Sequence, residues 1–212
     1  MSMAIPFTLR FERLDAVADN KPLADLRTAD DRALAEYAAT GDFGAFEELV
    51  RRYRNDVYAL SVRYVRNREE AWDIAQEAFI KAHRGLRRFR GDASFKTWML
   101  RITANQCKDY LKKRRLPTVA IEDLGGTEYA ASHAAQPDEA LGASELGESI
   151  QAAMDKLSHK HKTAFILREL EGLSYEEMAQ AMNCSMGTVM SRLHHARKKL
   201  QNLLRQMGVV ED

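Results

Sequence analysis

The sequence has few of the residues that mark disulfide-rich, metal-binding or loop-rich proteins. Its 212 residues include only 2 cysteines and 4 prolines. Because Cys107 and Cys184 stand far apart, they form neither a disulfide framework nor a metal-binding spacing. We therefore expect a reducing, cytoplasmic environment, and we predict no metal and no other cofactor.

Long apolar runs and strand-like patterns are also missing. No apolar stretch approaches the length that a membrane-spanning helix needs. Near the N-terminus, Arg10, Glu12 and Arg13 interrupt the apolar core that a signal peptide would require. Apolar and polar residues nowhere alternate as they do in half-buried strands. These absences predict an all-α protein that does not insert into a membrane.

Helical periodicity divides the chain into parts. Apolar residues recur every three or four positions from about residue 30 to 115 and again from about residue 145. The stretch between them has weak periodicity, a Gly-Gly pair and two of the prolines, which is typical of an interdomain linker. We predict an N-terminal extension (1–28), a helical domain (29–115), a flexible acidic linker (116–144) and a second helical domain (145–212).

A formal net charge of +1 conceals strong segregation of charge. Residues 81–115 contain twelve Lys or Arg and two Asp or Glu, whereas residues 116–150 contain seven acidic residues and no Lys or Arg. Residues 190–205 contain five Lys or Arg and no acidic residue. Two basic zones are typical of a protein that binds a polyanion, although either zone alone would also fit a solvated helix face.

The helix predicted from Phe95 carries a polar row beside its apolar stripe. Arg101, Asn105, Lys108 and Lys112 follow one another at helical spacing. Cations suit phosphates, and the amide of Asn105 can pair with the edge of a base. The alternative is a surface asparagine that bonds only to water.

Aromatic and basic side chains alternate just before and at the start of that helix. Phe89, Phe95 and Trp98 are interleaved with arginines and a lysine. This pattern suits single-stranded DNA, because unstacked bases can stack on aromatic rings. The alternative is that these rings are core residues, and at least one of them is expected to be.

Near the C-terminus the pattern predicts a helix-turn-helix. Ser174 and Glu177 have the spacing of a capping box, and Asn183–Ser185 forms the turn. The second helix has small and polar residues first and cations further on, as a major-groove helix requires. A helical hairpin that only closes a core remains the alternative.

No motif indicates catalysis. The acidic and amide side chains of the stretch DIAQEAFIKAH share a helix surface, without a nucleophile or a glycine-rich phosphate loop nearby. A protein-binding face is the better interpretation. His159 and His161 are two residues apart, so they do not share a helix face and do not predict a metal site. We predict that the protein is not an enzyme.

Three stretches together resemble conserved regions 2 and 4 of extracytoplasmic-function (ECF) sigma factors: DIAQEAFIKAH, FRGDASFKTWMLRITANQCKDYL and LRELEGLSYEEMAQAMNCSMGTVMSRLHHARKKL. The resemblance covers about residues 30–115 and 145–206. It implies an initiation factor that directs bacterial core RNA polymerase to promoters by binding the −35 element and melting the −10 element. The implied partners are core polymerase (the β′ clamp and β flap), promoter DNA and an anti-sigma factor.

The resemblance also implies three groups of site residues. The group that docks on the β′ clamp is Asp73, Gln76, Glu77, Phe79 and Lys81. The group that melts the −10 element and captures a base is Phe89, Arg90, Phe95, Trp98, Arg101, Asn105, Lys108 and Lys112. The group that contacts the −35 element is Arg168, Ser185, Thr188, Met190, Ser191, His194, His195, Arg197 and Lys198.

The sequence departs from the family pattern in the last group. Relatives often have Arg at the position of Met190, and an aromatic residue and Arg at the positions of His194 and His195. Met190 cannot make a bidentate contact with guanine, so the resemblance does not fix the −35 sequence. Two other functions stay open: a stand-alone helix-turn-helix regulator, and an RNA- or protein-binding helical adaptor.

Overall fold

The computed structural model describes residues 23–115 and 141–210, and both parts are helical. We call the first part the N-terminal lobe; its helices are α1 (Leu23–Thr28), α2 (Asp31–Ala39), α3 (Phe43–Val65), α4 (Arg68–Gly85), a 3₁₀ turn (Leu86–Arg88) and α5 (Phe95–Arg115). The C-terminal lobe contains α6 (Leu141–Asp155), α7 (His159–Phe165), a π-helical turn (Ile166–Leu170), α8 (Tyr175–Met182) and α9 (Met186–Gln206). In neither range is a helix long and apolar enough to cross a bilayer.

Polar side chains fix where the helices of the N-terminal lobe begin. The carboxylates of Asp30 and Asp42 accept bonds of 2.7 and 2.9 Å from backbone N–H groups three residues further on. Asn67 does the same for α4, and the Ser94 hydroxyl accepts from the Thr97 N–H at 3.1 Å. These bonds satisfy amides that the first turn of a helix leaves without a partner. Helix starts are thus determined locally.

A charged cluster joins α1 and α2 to α3. The Arg52 guanidinium donates to the Asp31 and Glu48 carboxylates, each at 2.8 Å, and to backbone carbonyls at the end of α1. Hydrogen bonds from Arg51, opposed by burial, lower the pKa of Glu48 to about 2. The first helix starts at Leu23, inside the predicted N-terminal extension (1–28), while residues 1–22 lie outside the described residues.

The helix-turn-helix is formed as predicted. Ser174 and Glu177 make both bonds of the capping box. Asn183 adopts a left-handed conformation (φ 48°), and Ser185 caps α9. Before this hairpin, α7 passes into the π-helical turn, which the sequence did not predict, and the chain leaves it at Gly172 (φ 70°). A π turn widens the helix by one residue and often lies at a functional site.

The two lobes pack against each other. Leu60, Leu100 and Cys107 of the N-terminal lobe belong to the same buried apolar cluster as Leu167 and Met178 of the C-terminal lobe. Helix α8 lies directly against α5. The predicted class, two small helical domains, is confirmed, but the domains are in contact. Most of the predicted linker, residues 116–140, lies outside the described residues, and α6 begins at Leu141, before the predicted boundary.

Candidate polymerase and nucleic-acid interfaces

The polar face of α4 is open to solvent at only some of the predicted positions. Asp73 and Lys81 are exposed, and Gln76 and Glu77 are half-buried beside them. The Lys81 ammonium donates to the side-chain oxygen of Gln106 on α5, so this face continues onto the next helix. Phe79 is a correction, because its ring is 1% exposed in the core of the lobe and so cannot contact a partner directly.

The row of polar side chains on α5 is present on its solvent side. Asn105, Lys108 and Lys112 are exposed, and Arg101 is half-buried at the start of the row. One position away, Leu100, Ala104 and Cys107 are buried, as the helical period predicted. Burial raises the pKa of the Cys107 thiol to about 12, so this cysteine is a core residue and not a reactive one. Helix α5 thus holds its amide and cations on a rigid, well-anchored surface.

The aromatic residues near the start of α5 form a cluster with one another. The ring centroids of Phe89, Phe95 and Trp98 are 5.1 to 5.8 Å apart in all three pairs. Phe95 and Trp98 are only 2% and 9% exposed, so neither offers a face on which a base could stack. Only Phe89 is half-buried. For Phe95 and Trp98 the core interpretation was the right one, and their packing fixes the loop before α5.

One basic residue beside this loop was missed by the sequence analysis. Gly91, with φ of 74°, has the Arg32 side chain over it, so that a Cβ at this position would lie 3.7 Å from the Arg32 Cζ. Arg90 pairs with Asp92 at 3.3 Å within the same exposed loop. Arg32 is on α2, about sixty positions earlier in the chain. Only the packing of α2 against the 3₁₀ turn shows that it belongs to this basic surface.

Helix α9 presents a polar face whose N-terminal end is capped. Met190 is 48% exposed, and Ser191, His194, His195 and Lys198 are exposed with it. Ser185 accepts a bond of 3.3 Å from the Thr188 N–H, and the two hydroxyls are 2.9 Å apart. Both of these predicted contact residues therefore shape the N-terminal end of the helix, while the others form its open face.

Two arginines predicted to contact DNA already have partners within the C-terminal lobe. The Arg168 guanidinium donates to the Leu173 carbonyl at 2.7 Å and lies 5.0 Å from the centre of the Tyr175 ring. Arg197 pairs with Glu169, with one bond of 3.0 Å from its Nε. Arg168 thus holds the start of the helix-turn-helix, and a DNA contact by either residue has to compete with its present partner.

Three histidines lie together where α7 meets α9. The ring centroids of His161 and His195 are 6.1 Å apart, and those of His194 and His195 are 5.6 Å apart. Burial, and then the nearby His195, Lys199 and Arg192, lower the pKa of His161. Among the described residues, no group of three or more His, Cys, Asp or Glu side chains is arranged to hold a metal ion.

Comparison with known proteins gives the same two-part organisation. The family model for Sigma-70 region 2 matches residues 49–116, and that for Sigma-70, region 4 matches residues 147–200. The chain is 40% identical to the RNA polymerase sigma-H factor of Pseudomonas aeruginosa over 186 residues, which covers 83% of this chain and 96% of that protein. It is also 40% identical to the ECF RNA polymerase sigma-E factor of Haemophilus influenzae over 183 residues (84% and 96% covered).

Solved structures of similar fold include complexes of two proteins with other chains. The structure of CnrH in complex with the cytosolic domain of CnrY has a TM-score of 0.62 and 25% identity, covering 83% of this chain and 97% of that one. The complex of the sigma factor RpoE with the anti-sigma factor NepR from Bartonella quintana has a TM-score of 0.55 and 24% identity, covering 76% and 96%.

These comparisons decide between the three functions that the sequence left open. A stand-alone helix-turn-helix regulator would explain only the region 4 match, and an adaptor would explain neither match. The chain is 40% identical to two sigma factors and covers 96% of the length of each. The chain therefore belongs to the family of ECF RNA polymerase sigma factors, non-catalytic initiation factors that bind core RNA polymerase and promoter DNA.

Proposed function

We propose that this sigma factor binds its partners through three separate surfaces on the two lobes. The observation that carries the proposal is the exposed row of Asn105, Lys108 and Lys112 on α5, directly after an exposed basic loop. An amide flanked by cations suits a base that is held outside the stack, because the amide can pair with the base edge while the cations bind the phosphates on either side. Asn105 is the residue assigned to the captured base of the −10 element.

The surroundings of Asn105 support this assignment. The 3₁₀ turn carries Arg87 and Arg88, and the loop between it and α5 carries Arg90; all three are exposed, and Arg32 from α2 lies beside Gly91 of the loop. These four cations are assigned to phosphates of the melted strand. Phe89 is the one half-buried ring of the aromatic cluster and is assigned to stacking, while Phe95 and Trp98 support it from the core.

The other two surfaces have different partners. The face of α4 around Asp73, Gln76 and Glu77 is assigned to the β′ clamp of core polymerase, because it is polar and at least partly open to solvent. The open face of α9, from Met190 to Lys198, is assigned to the major groove of the −35 element. The α9 face has histidines where relatives often have an aromatic residue and arginine.

A further partner, and the compartment in which the protein acts, follow from its relatives. The solved neighbours include RpoE bound to the anti-sigma factor NepR, and we assign an anti-sigma partner to this chain as well. Because core polymerase and promoter DNA are cytoplasmic in bacteria, we place its action in the cytoplasm.

Two substitutions separate DNA melting from polymerase docking. Asn105→Ala is expected to lower open-complex formation about five- to 150-fold, because a lost base contact costs about 1–3 kcal/mol, while leaving core binding unchanged. Asp73→Arg is expected to weaken core binding itself. Pull-down of core polymerase and permanganate footprinting of the melted strand measure the two steps. Equal loss of core affinity in both variants would contradict the assignment.

A further inference from the structure

Two exposed methionines lie at the start of α9. Met186 and Met190 are 43% and 48% exposed, and they are two of the six large apolar side chains that are exposed in the described lobes. Because they are four residues apart, they lie on the same side of the helix, about 6 Å apart along its axis. We call these two residues the methionine strip.

Folding of the C-terminal lobe does not account for the methionine strip. The core side of α9 is formed by buried side chains at other positions, namely Val189, Leu193, Ala196 and Leu200. Neither methionine belongs to an apolar cluster of the described residues. A single exposed apolar side chain is common, but two neighbours on one side of a helix form a patch that suits a partner.

The charge around the methionine strip favours nucleic acid as that partner. Helix α9 contains five Lys or Arg and no Asp or Glu. Ser191 and His194 are exposed beside Met190, and Lys198 is exposed one turn beyond His194. The methionines lie in the N-terminal half of the helix, which is the part that contacts base edges when such a helix enters the major groove. The cations further along are placed to bind phosphates at the border of the groove.

Small residues beside the methionine strip allow a close approach to DNA. Gly187 and Ser191 are exposed and four residues apart, so they form a second row next to the methionines. A Cβ on Gly187 would have no neighbour within 4 Å in the described lobes. With this row free of bulky side chains, the backbone of α9 can lie close to the groove, and the longer methionine side chains can reach the bases.

The chemistry of a methionine side chain restricts which base it can recognise. It has no N–H or O–H donor and only a weakly accepting sulfur, so it does not match the hydrogen-bonding edges of guanine, adenine or cytosine. Among the four bases, only thymine presents a methyl group in the major groove. A flexible, unbranched thioether can pack against that methyl group and exclude water from it. An exposed methionine on a major-groove helix therefore suits an A·T pair.

We propose that Met190 makes this sigma factor specific for a thymine in the −35 element, by packing against the C5-methyl group of that base. Met186 extends the same apolar surface by one turn. The proposal rests on the assignment of the open face of α9 to the −35 element. In this chain, apolar contact with a methyl group takes the place of the guanine contact that an arginine at this position could make.

Removal of the methyl group from the DNA tests the proposal directly. Holoenzyme assembled from this protein and bacterial core polymerase first selects its preferred −35 element from promoter duplexes that are randomised at those positions. Each thymine of the selected element is then replaced by deoxyuridine, which pairs identically but lacks the C5-methyl group. We expect one replacement to lower promoter affinity about fourfold, which is the effect of losing one buried methyl group. If no replacement changes the affinity, the proposal is overturned.

Substitution of Met190 tests whether this side chain recognises the methyl group. In Met190→Ala, thymine and deoxyuridine at the sensitive position are expected to bind equally well. Met190→Arg is also expected to lose the thymine preference and to select guanine in the same part of the element, because arginine can donate two hydrogen bonds to guanine. The control is Val210→Ala, which shortens an exposed apolar side chain outside α9 and is expected to keep the full sensitivity to deoxyuridine. Sensitivity that persists in Met190→Ala contradicts the proposal.

The readouts distinguish failure of the thymine contact from failure of the assigned function. Circular dichroism confirms that each variant is folded, and pull-down measures its binding to core polymerase. If the wild type selects no sequence at the −35 position, the assignment of α9 to that element is wrong, and the thymine proposal fails with it. If the wild type selects a sequence that Met190→Ala leaves unchanged, the assignment of α9 stands and the thymine proposal is wrong. Weaker core binding of Met190→Ala, without a change in the selected sequence, would show that the methionine strip contacts a protein instead.

Discussion

Glu48 shows how strongly the pKa of a single carboxylate, and its contribution to stability, can depend on its surroundings. Its side chain is 7% exposed and accepts bonds of 2.7 to 2.8 Å from Arg51 and Arg52. We expect Glu48→Gln to lower the free energy of unfolding by about 2 kcal/mol, since bonds between charged groups are lost. Urea denaturation at neutral pH measures this, and Glu47→Gln, at an exposed neighbour, is the control.

The difference in unfolding free energy between the wild type and Glu48→Gln is expected to change with pH in one direction. The pKa of Glu48 is about 2 in the folded protein, below its ordinary value of 4.5. A depressed carboxylate pKa contributes stability above the ordinary value, and this contribution is lost as the pH falls toward the folded value. The advantage of the wild type over Glu48→Gln is therefore expected to be constant near neutrality and to shrink below about pH 4.5. A constant difference down to pH 3 would contradict the charged-cluster explanation.

At the residue scale, the sequence predicts exposure better for polar rows than for aromatic side chains. The helical period placed Asn105 and Lys108 outside and Cys107 inside, because one helix face repeats every three or four residues. It could not place Phe79 or Trp98, since an aromatic ring suits both a core and a binding surface. Trp98 is buried partly because Gly85 leaves room for it: a Cβ on Gly85 would lie 3.3 Å from the ring.

At the element scale, a complete capping box fixes the start of α8 in the C-terminal lobe. The Ser174 hydroxyl accepts from the Glu177 N–H at 3.2 Å, and the Glu177 carboxylate accepts from the Ser174 N–H at 2.8 Å. We expect Ser174→Ala to lower the free energy of unfolding by about 1 kcal/mol. Ser158 is a matched control, because it occupies the N-cap of α7 without a side-chain capping bond. Equal loss in both variants, measured by denaturation, would show that the capping box is not the cause.

Local sequence patterns predicted some of the helical elements and failed to predict others. The capping box and the turn at Asn183 depend on neighbours in the chain, so they were predictable from sequence. The π-helical turn before them was not predicted; in it, Arg168 donates to the Leu173 carbonyl while Leu167 packs in the core. Its residues have no helix-breaking signal of their own. Tertiary contacts decided this geometry.

For the whole molecule, acid is expected to favour separation of the lobes. The buried Nδ1 of His159 has no hydrogen-bond partner among the described residues. Burial, and then Lys108 and Lys162, opposed by Asp109, lower the pKa of His159 to about 4, and the Tyr64 ring packs beside it. Because an exposed histidine has a pKa near 6.5, the closed form binds fewer protons between about pH 4 and 6.5.

The measurement is energy transfer, as a function of pH, between dyes attached at Arg54→Cys on α3 and Gln201→Cys on α9 in a Cys184→Ser background. The open fraction of the free protein is expected to rise between pH 7.5 and 5.5. In His159→Gln, which cannot take up the proton, the rise is expected to be much smaller. An identical pH profile in both proteins would exclude His159 as the cause. Circular dichroism at each pH distinguishes separation of the lobes from unfolding.

The arrangement of the whole molecule was only partly accessible from the sequence. Composition and charge predicted two helical parts with a stretch of weak periodicity between them, and the three motifs identified the family. The packing of α8 on α5 could not be predicted, because Leu100 and Cys107 would have looked the same on an isolated lobe. Contacts such as that of Tyr64 with Thr163 join residues far apart in the chain and leave no local pattern.

The central claim is that two helical lobes on one chain select promoters jointly once they are bound to core polymerase. Mapping of transcript 5′ ends, with purified protein and core polymerase on genomic DNA of the host bacterium, tests it most directly. The account predicts new start sites that share two upstream sequence boxes at a constant separation, and loss of these sites with Asn105→Ala. Start sites identical to those of core polymerase alone, or sites that share only one box, would contradict it.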